Sequence, residues 1–321
     1  MMMASQLNDE LKLFSGSSHP QLAQDICDYL DIPLGRSQTT RFANDNLFVK
    51  IEENVREKDV FVLQTARAPV SDHLMELCIM IDALRHASAA RITAIIPYYF
   101  YVRSDKKDEP RISVTARLVA DLLAAAGANR VLTMTLHSDQ IQGFFRMPAD
   151  QLSAVPLICE YFADWDLSDF VVVAPDAGSA RRAGAYAERL KLPLAVGDKR
   201  RSSNHDDTTT IQGIVGDVEG KNALLLDDEI ATAGSMLGLA AYLQENSDVE
   251  EVYAGAAHGV LVGPALERLA RPPFKEVVVT DTLPAPEGAG NCNLKQVSVA
   301  KLFGKAIRAI HTGESVSAIF R

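Results

Sequence analysis

Short apolar runs of strand length alternate with segments of helical periodicity along almost the whole chain. In the first half these runs lie at residues 11–16, 59–64, 91–100 and 130–137, and the pattern restarts at 169–178. Strands that alternate with helices of about 10–15 residues predict right-handed crossovers and parallel sheets. The sequence therefore predicts an α/β fold class with two doubly wound domains, each built on a parallel sheet.

The interval between the two series of strands indicates where one domain ends and the next begins. The chain has 321 residues, which is long enough for two domains with cores of their own. We expect an N-terminal domain over residues 1–152, a C-terminal domain over 153–308, and a tail over 309–321 that packs back on the first domain. Functional loops in such domains should follow the carboxyl ends of the strands.

Charge and cysteine spacing argue against several classes of function. The net charge is −10, from 32 Lys and Arg against 42 Asp and Glu, which argues against binding to nucleic acid or to acidic membranes. No apolar run approaches the roughly 20 residues that span a bilayer, and the first residues do not form a signal-peptide pattern. The four cysteines lack metal-ligand spacing and are expected to be free thiols: Cys27, Cys78, Cys159 and Cys292. We therefore expect a cytoplasmic protein.

Residues 224–235, LLLDDEIATAGS, form the most informative stretch. Three leucines predict a buried strand, which Asp227 and Asp228 end, and a helical pattern follows the next turn. The turn consists of small and hydroxyl residues: Ala231, Thr232, Ala233, Gly234 and Ser235. A helix N-terminus favours a phosphate, and adjacent carboxylates can bind sugar hydroxyls or a divalent cation. This segment therefore indicates a phosphorylated sugar.

A cationic loop lies between a predicted strand and a predicted helix. Residues 103–111, RSDKKDEPR, contain Arg103, Lys106, Lys107 and Arg111. Such a loop can fold over a polyphosphate and offset its charge during phosphoryl transfer. The alternative is a solvated surface loop, which is the usual role of a run of charges.

Three further polar groups follow predicted strands. His137 ends one strand and could contact a metal or a phosphate, although a lone histidine is more often structural. Asp176 begins a turn before a helix, where it could instead act as a helix cap. Lys199 and Arg201 alternate, so both would point to the same side of an extended segment, where they could also be a plain exposed strand end. No Walker-type or dinucleotide-binding glycine motif is present.

The collinear order of six blocks resembles the ribose-phosphate diphosphokinase family. The blocks are FSGSSHP, RSDKKD, LHSDQIQGFF, PDAGSARR, LLLDDEIATAGS and GESVSAIF. The resemblance implies two type I phosphoribosyltransferase-like domains and transfer of a diphosphate from ATP to O1 of ribose 5-phosphate. The products would be phosphoribosyl diphosphate and AMP, the cofactor would be Mg²⁺, and the partner would be a second copy, in a hexamer built from dimers.

The resemblance also assigns roles to individual positions. Ribose 5-phosphate would be bound by Asp227, Asp228 and the loop of Ala231, Thr232, Ala233, Gly234 and Ser235. ATP would be bound by Phe42, Asn44, Arg103, Ser104, Asp108 and His137, with Phe42 and Asn44 supplied by a neighbouring subunit. The catalytic cations would be Lys199, Arg201, Lys106 and Lys107, and the positions associated with the metal would be His137 and Asp176. A regulatory anion site would include Arg111, Ser315 and Ser317.

The sequence departs from the family pattern at six of these or neighbouring positions. Ser104 replaces a glutamine, Asn46 a glutamate, Thr135 and Arg146 acids, Glu229 an apolar residue and Ala231 an aspartate. These departures leave two alternatives open. One is a non-catalytic regulatory paralogue that assembles with active subunits, and the other is a phosphoribosyltransferase that consumes the diphosphate instead of making it.

Overall fold

The computed structural model describes residues 10–201 and 209–320, without the side chains of 199–201, 209–210 and 320. The chain divides into two compact units. The first runs to Leu152 and resumes at Val299, and the second spans Ser153–Ser298.

Strands and helices alternate in the described residues as the sequence predicts. The strands are β1 (Leu11–Ser15), β2 (Leu34–Gly35), β3 (Ser37–Arg41), β4 (Leu47–Ile51), β5 (Asp59–Leu63), β6 (Arg91–Ile96), β7 (Arg130–Met134), β8 (Ala149–Leu152), β9 (Phe170–Ala174), β10 (Leu194–Arg201), β11 (Thr209–Val215), β12 (Asn222–Ile230), β13 (Val252–Gly259), β14 (Phe274–Thr280) and β15 (Leu294–Val297). The α-helices are α1 (Pro20–Leu30), α2 (Val70–His86), α3 (Thr115–Ala126), α4 (Val155–Tyr161), α5 (Ala180–Leu190), α6 (Gly234–Asn246), α7 (Ala265–Leu269) and α8 (Ala300–Thr312). Over these residues, no helix has the length and apolar character that a membrane span needs.

The first unit is built on a parallel sheet of six strands in the order β2-β1-β5-β6-β7-β8. Strand β5 is buried from Val60 to Leu63, because continuous apolar runs suit strands that are covered on both faces. A separate antiparallel hairpin, β3–β4, lies outside this sheet. The local sequence does not predict this hairpin, since its residues are largely exposed and show little apolar alternation.

The boundary predicted at residue 308 is wrong, because the whole of helix α8 belongs to the first unit. This helix packs on α1, where Gly304 meets Tyr29 so closely that an added Cβ would lie 2.3 Å from the ring. The Arg308 guanidinium lies 5.6 Å from the centre of the same ring, at cation–π distance. His311 Nδ1 also lies 2.8 Å from the Asp59 carboxylate at the start of β5. These contacts hold α8 against α1 and the start of β5 in the first unit.

The second unit is built on a seven-stranded sheet in the order β11-β10-β9-β12-β13-β14-β15. Its strand pairs are parallel except for β10–β11, which is antiparallel and irregular between Asp198 and Lys199. The sheet is thus built on parallel strands as predicted, with one antiparallel pair at its edge. Such an antiparallel edge strand is common on otherwise parallel sheets. The core contains the central strands and the inner face of α6, including Leu239 and Leu243.

Candidate active site

The Asp227–Asp228 pair is held by an arginine from the next helix along the sheet. Arg182 on α5 donates from Nη1 to Asp227 Oδ1 at 3.0 Å and to Asp228 Oδ1 at 2.6 Å. Asp228 is nearly buried, with a side-chain exposure of 4%, whereas Asp227 keeps 22%. The Asp228 backbone N–H also donates to Asp227 Oδ1 at 2.9 Å. Both carboxylates are therefore fixed within a central strand, close to its carboxyl end.

One guanidinium meets two carboxylates here, so the contact would carry one surplus negative charge with both carboxylates ionised. Burial raises the pKa of Asp227, and the adjacent Asp228 carboxylate raises it further, while Arg182 acts in the opposite direction. A group that brings positive charge or hydroxyl donors would relieve this cost. The pair is thus suited to a divalent cation or to the hydroxyls of a sugar.

Strand β12 extends further than the sequence analysis predicts. Asp227 and Asp228 do not end the strand, because it continues through Ile230 in register with Gly259 of β13. Glu229, one of the departures, lies inside this extension opposite His258. The neighbouring strand pairs with the two residues beyond the expected end, Glu229 and Ile230, and pairing of this kind cannot be read from the local sequence.

In the loop after β12, two successive backbone carbonyls, those of Ala231 and Thr232, are hydrogen-bonded to other parts of the second unit. The Ala231 carbonyl accepts from the Val262 N–H at 3.0 Å, and the Thr232 carbonyl accepts from Arg268 Nη1 at 2.9 Å. Because a trans peptide places its C=O and the following N–H on opposite sides, the Thr232 and Ala233 N–H groups face away from these partners. Ala233 has φ 58°, a left-handed conformation, and Gly234 begins α6. The loop and the first turn of α6 thus have the character of an anion cradle.

Asp176 is a cap of the turn that precedes α5. Its Oδ1 accepts from the Ser179 N–H at 3.0 Å, and its own N–H donates to Ser179 Oγ at 3.2 Å. The geometry thus supports the structural alternative for Asp176, while its association with a metal stays a prediction. The backbones of Lys199 and Arg201 lie in β10, and their side chains lie outside the described residues.

The cationic loop of the first unit is closed at its base by Ser104. Ser104 Oγ donates to the Ser113 carbonyl at 3.2 Å and accepts from the Thr115 N–H at 3.1 Å. The Ser104 carbonyl accepts from the Ala116 N–H at 3.1 Å. Ser104 thereby joins both ends of the loop and caps the first turn of α3. The loop's exposed charged side chains are Arg103, Lys106, Lys107, Asp108 and Arg111.

The β3–β4 hairpin presents an exposed aromatic pair. Phe42 and Phe48 are 51% and 44% exposed, and their ring centres lie 5.6 Å apart. Asn44 shapes the turn between them, because its Oδ1 accepts from the Asn46 N–H at 3.3 Å. An exposed aromatic face of this kind can stack on a nucleobase.

His137 lies three residues beyond β7 and is half-buried. The two departures that flank it have their own local roles. Thr135 adopts φ 36° and its N–H donates to the Leu152 carbonyl at 2.9 Å, whereas Arg146 Nε lies 3.1 Å from Asp121 on α3.

The residues predicted for a regulatory anion site lie in the first unit. Ser315 Oγ and Ser317 Oγ are 2.8 Å apart and exposed, and Arg111 adopts φ 66° in the cationic loop. The geometry of a bound anion at these positions stays a prediction.

Arg182 and Arg268 are the two site residues that sequence reasoning missed. Arg182 is the last residue of the segment PDAGSARR. Because it follows Ser179 by three residues, helical spacing places it about one turn into the predicted helix. Arg268 lies 36 residues from the carbonyl that it binds, so no local pattern points to it.

Two family models match the chain. The N-terminal domain of ribose phosphate pyrophosphokinase matches residues 11–127, and the phosphoribosyl synthetase-associated domain matches residues 209–321. A ribose-phosphate pyrophosphokinase of Caldanaerobacter subterraneus is 50% identical over 313 residues, which cover 97% of this chain and 98% of the relative. One of Deinococcus radiodurans is 50% identical over 316 residues, with the same shares covered. The chain belongs to the ribose-phosphate pyrophosphokinase family.

A solved structure agrees with this family membership. The phosphoribosylpyrophosphate synthetase from Mycobacterium smegmatis matches with a TM-score of 0.89 and 43% identity, over 95% of this chain and all of that one. The α/β fold and the predicted activity, synthesis of phosphoribosyl diphosphate by a kinase-type transferase, are both confirmed. In this chain Ser104, where the resemblance leads one to expect a glutamine, closes the base of the cationic loop through its own hydrogen bonds.

Proposed function

We propose that the pyrophosphokinase takes ATP and ribose 5-phosphate, with Mg²⁺, and transfers the β,γ-diphosphate to the sugar. The O1 oxygen attacks the β-phosphorus in line, and the bond from that phosphorus to the oxygen shared with the α-phosphorus breaks. AMP leaves with that oxygen and the bonding electrons, and the proton of the O1 hydroxyl passes to water. The proposal rests on one arrangement, in which Asp227 and Asp228, held by Arg182, lie next to the loop 231–235. It combines carboxylates that can accept hydrogen bonds from sugar hydroxyls with a cradle for an anion.

On the sugar side, the carboxylates would accept hydrogen bonds from the ribose hydroxyls. Arg182 holds the two carboxylates in a fixed orientation, so less ordering is needed when the sugar binds. The N–H groups of Thr232, Ala233 and the first turn of α6 would bind the 5-phosphate. Ala231 is tolerated in this role, because backbone groups and not its side chain would make the contacts.

On the nucleotide side, the exposed cations of the first unit would offset the charge of the transferring group. Arg103, Lys106 and Lys107 lie in a loop whose base Ser104 closes, and Lys199 and Arg201 would serve the same reaction from β10. Positioning and charge stabilisation account for most of the catalysis of phosphoryl transfer. Phe42 would stack on the adenine with Asn44 beside it.

The donor set fits Mg²⁺ that arrives with substrate phosphates. Among the described residues, no group of three or more His, Cys, Asp or Glu side chains is arranged to hold a metal by itself. Mg²⁺ keeps several waters and usually binds through one or two carboxylates and substrate phosphates. Asp227 and Asp228 offer such oxygens, and His137 and Asp176 stay predicted positions of contact through water or phosphate. The ion would neutralise charge on the diphosphate.

A homo-oligomer, with dimers assembled into a hexamer, is part of the same proposal. A cavity of about 580 Å³ lies between α2 and α3 in the first unit. Its rim exposes Met75, Leu118 and Leu122 at 55%, 48% and 41%. Clustered apolar side chains at a surface favour a protein partner. A reducing, cytoplasmic location fits the four cysteines, which are free in the structure and for the most part buried.

The deciding experiment is a product assay with the purified chain, ATP, ribose 5-phosphate and Mg²⁺. We expect equal amounts of AMP and phosphoribosyl diphosphate, and a sharp loss of turnover in a folded Lys199→Ala variant. Other nucleotides and pentose phosphates measure the preference. No AMP at high Mg²⁺ and phosphate would contradict the proposal and favour a regulatory paralogue. Pyrophosphate release from phosphoribosyl diphosphate with a free base, without AMP formation, would favour a phosphoribosyltransferase.

A further inference from the structure

The β3–β4 hairpin needs an attachment if it is to present Phe42 in a fixed place. The hairpin forms a two-stranded sheet of its own, and isolated hairpins are marginally stable in water. Val49 is buried to 8% exposure, whereas the residues of β3 are exposed or half-exposed. Helix α2 packs against β4 and is thus a main attachment of the hairpin to the unit.

Two acidic residues of α2 bind two residues of β3. Asp72 Oδ2 accepts from Arg41 Nη2 at 2.6 Å, and Glu76 Oε1 accepts from Thr39 Oγ1 at 2.8 Å. Four residues of helix rise by about 6 Å, and two residues of strand by about 6.6 Å. The acids are four residues apart and their partners two apart, so the spacings match. Helix and strand are joined at two points instead of one.

Glu76 also connects this attachment to the central sheet. The Glu76 side chain is buried, with 2% of the residue exposed. It accepts from the Ser17 N–H at 3.2 Å and from Ser17 Oγ at 2.5 Å, just after β1. Gln64 Nε2, just after β5, donates to it at 2.7 Å. Through Glu76, the position of Thr39 is thus fixed relative to the ends of two buried strands, β1 and β5.

We propose that Asp72 and Glu76 form a two-point clamp that positions the β3–β4 hairpin and thereby sets the affinity for the nucleotide. The inference rests on the proposed function, in which Phe42 and Asn44 contact the adenine. Asp72 and Glu76 contact the hairpin and not the substrate, so they are positioning residues. Their effect should appear in the KM for ATP and leave the KM for ribose 5-phosphate unchanged.

The test removes each point of the clamp with a near-isosteric change. Thr39→Val loses one hydroxyl and keeps the β-branched shape, and Asp72→Asn loses the charge that pairs with Arg41. We expect the KM for ATP to rise roughly tenfold in Thr39→Val and roughly threefold in Asp72→Asn, and to rise more in the double variant. Asp28→Asn, an exposed change on α1, is the matched control and should leave both KM values unchanged.

Amide hydrogen exchange without substrates gives a second readout. Residues 37–51 should exchange faster in both variants, while β1 and β5 keep their protection. An unchanged KM for ATP, an equal rise of both KM values, or unchanged exchange at 37–51 would overturn the clamp. If the wild-type chain releases no AMP, the proposed function fails, and exchange at 37–51 still tests whether the clamp holds the hairpin.

Discussion

In the first unit the chain passes from β1 out to β2 and back to β5, and in the second from β9 to β10 and back to β12. Both units therefore have a crevice beyond the carboxyl ends of two adjacent parallel strands, where the strand order reverses. The crevice of the first unit holds the Gln64 side chain and the buried Glu76 carboxylate. Gly16 permits this, because a Cβ there would lie 2.4 Å from Gln64 Oε1.

The two crevices differ in what surrounds their carboxylates. Glu76 accepts hydrogen bonds from the neutral donors of Ser17, Gln64 and Thr39, which come from the elements that close this crevice. Asp227 and Asp228 lie side by side and share one guanidinium, and burial together with the neighbouring carboxylate raises the pKa of Asp227. The comparison teaches that equal topology does not give equal function, since a few side chains decide whether a crevice is filled or open to a ligand.

The largest effect should follow from the second crevice. Asp228→Asn keeps the shape of the side chain but removes one of the two charges that would orient the sugar. We expect turnover to fall by at least about 100-fold, a loss of roughly 3 kcal/mol of transition-state stabilisation. The assay is AMP release, with the fluorescence of the single tryptophan, Trp165 of the second unit, as a check of folding. Turnover within a factor of three of wild type would mean that the carboxylate pair is structural.

A change in the first crevice should lower the stability of the first unit. Glu76→Leu leaves buried donors of Ser17 and Gln64 without their acceptor, and we expect a loss of about 3 kcal/mol in the free energy of unfolding of this unit. Hydrogen exchange of β1 and β5 measures it, with β9 and β12 as the internal reference. If β1 and β5 keep their full protection, the crevice is not held by Glu76. Asp28→Asn serves as the control for a lost carboxylate.

A pH series should separate the two crevices further. The folded pKa of Asp227 is raised, so the folded state binds more protons than the unfolded state between the ordinary aspartate range near 4 and the raised value. This residue's contribution to stability is therefore greatest at low pH and decreases as pH rises through that window. Relative to Asp227→Asn, the free energy of unfolding of the wild type should fall by up to about 1.4 kcal/mol per pH unit within that window. Parallel stability curves of the two proteins, measured by Trp165 fluorescence, would contradict the raised pKa.

The smallest effect should come from the loop support. Arg268→Met removes the donor to the Thr232 carbonyl and frees the orientation of the next N–H. We expect the KM for ribose 5-phosphate to rise about fivefold, roughly 1 kcal/mol, with little change in the KM for ATP. Arg271→Met is the matched control, because Arg271 is exposed and pairs with Glu267. Equal effects of the two variants would mean that the loop does not depend on Arg268.

The site could be predicted from sequence where function depends on consecutive residues. Asp227 and Asp228 lie in β12, and the loop up to Ser235 leads from that strand into α6, so local order alone brings them together. The cationic loop is also one segment. The role of Ser104 could not be predicted, because it depends on the Ser113 carbonyl and the Thr115 N–H across the loop. The same limit applies to Arg182 and Arg268, whose contacts span 45 and 36 residues.

By itself, the sequence determined the alternation of strands and helices, the α/β class, the family and the carboxylate–loop motif, because each of these is encoded in local periodicity or in a collinear pattern. The tertiary structure decided the length of β12, the place of α8 in the first unit and the hairpin held by Asp72 and Glu76. It also decided that the side chains of Gln64 and Glu76 fill one crevice, whereas the other presents the Asp227–Asp228 pair. These features depend on pairing, burial and charge between residues far apart in the chain, which become neighbours only when the sheets form.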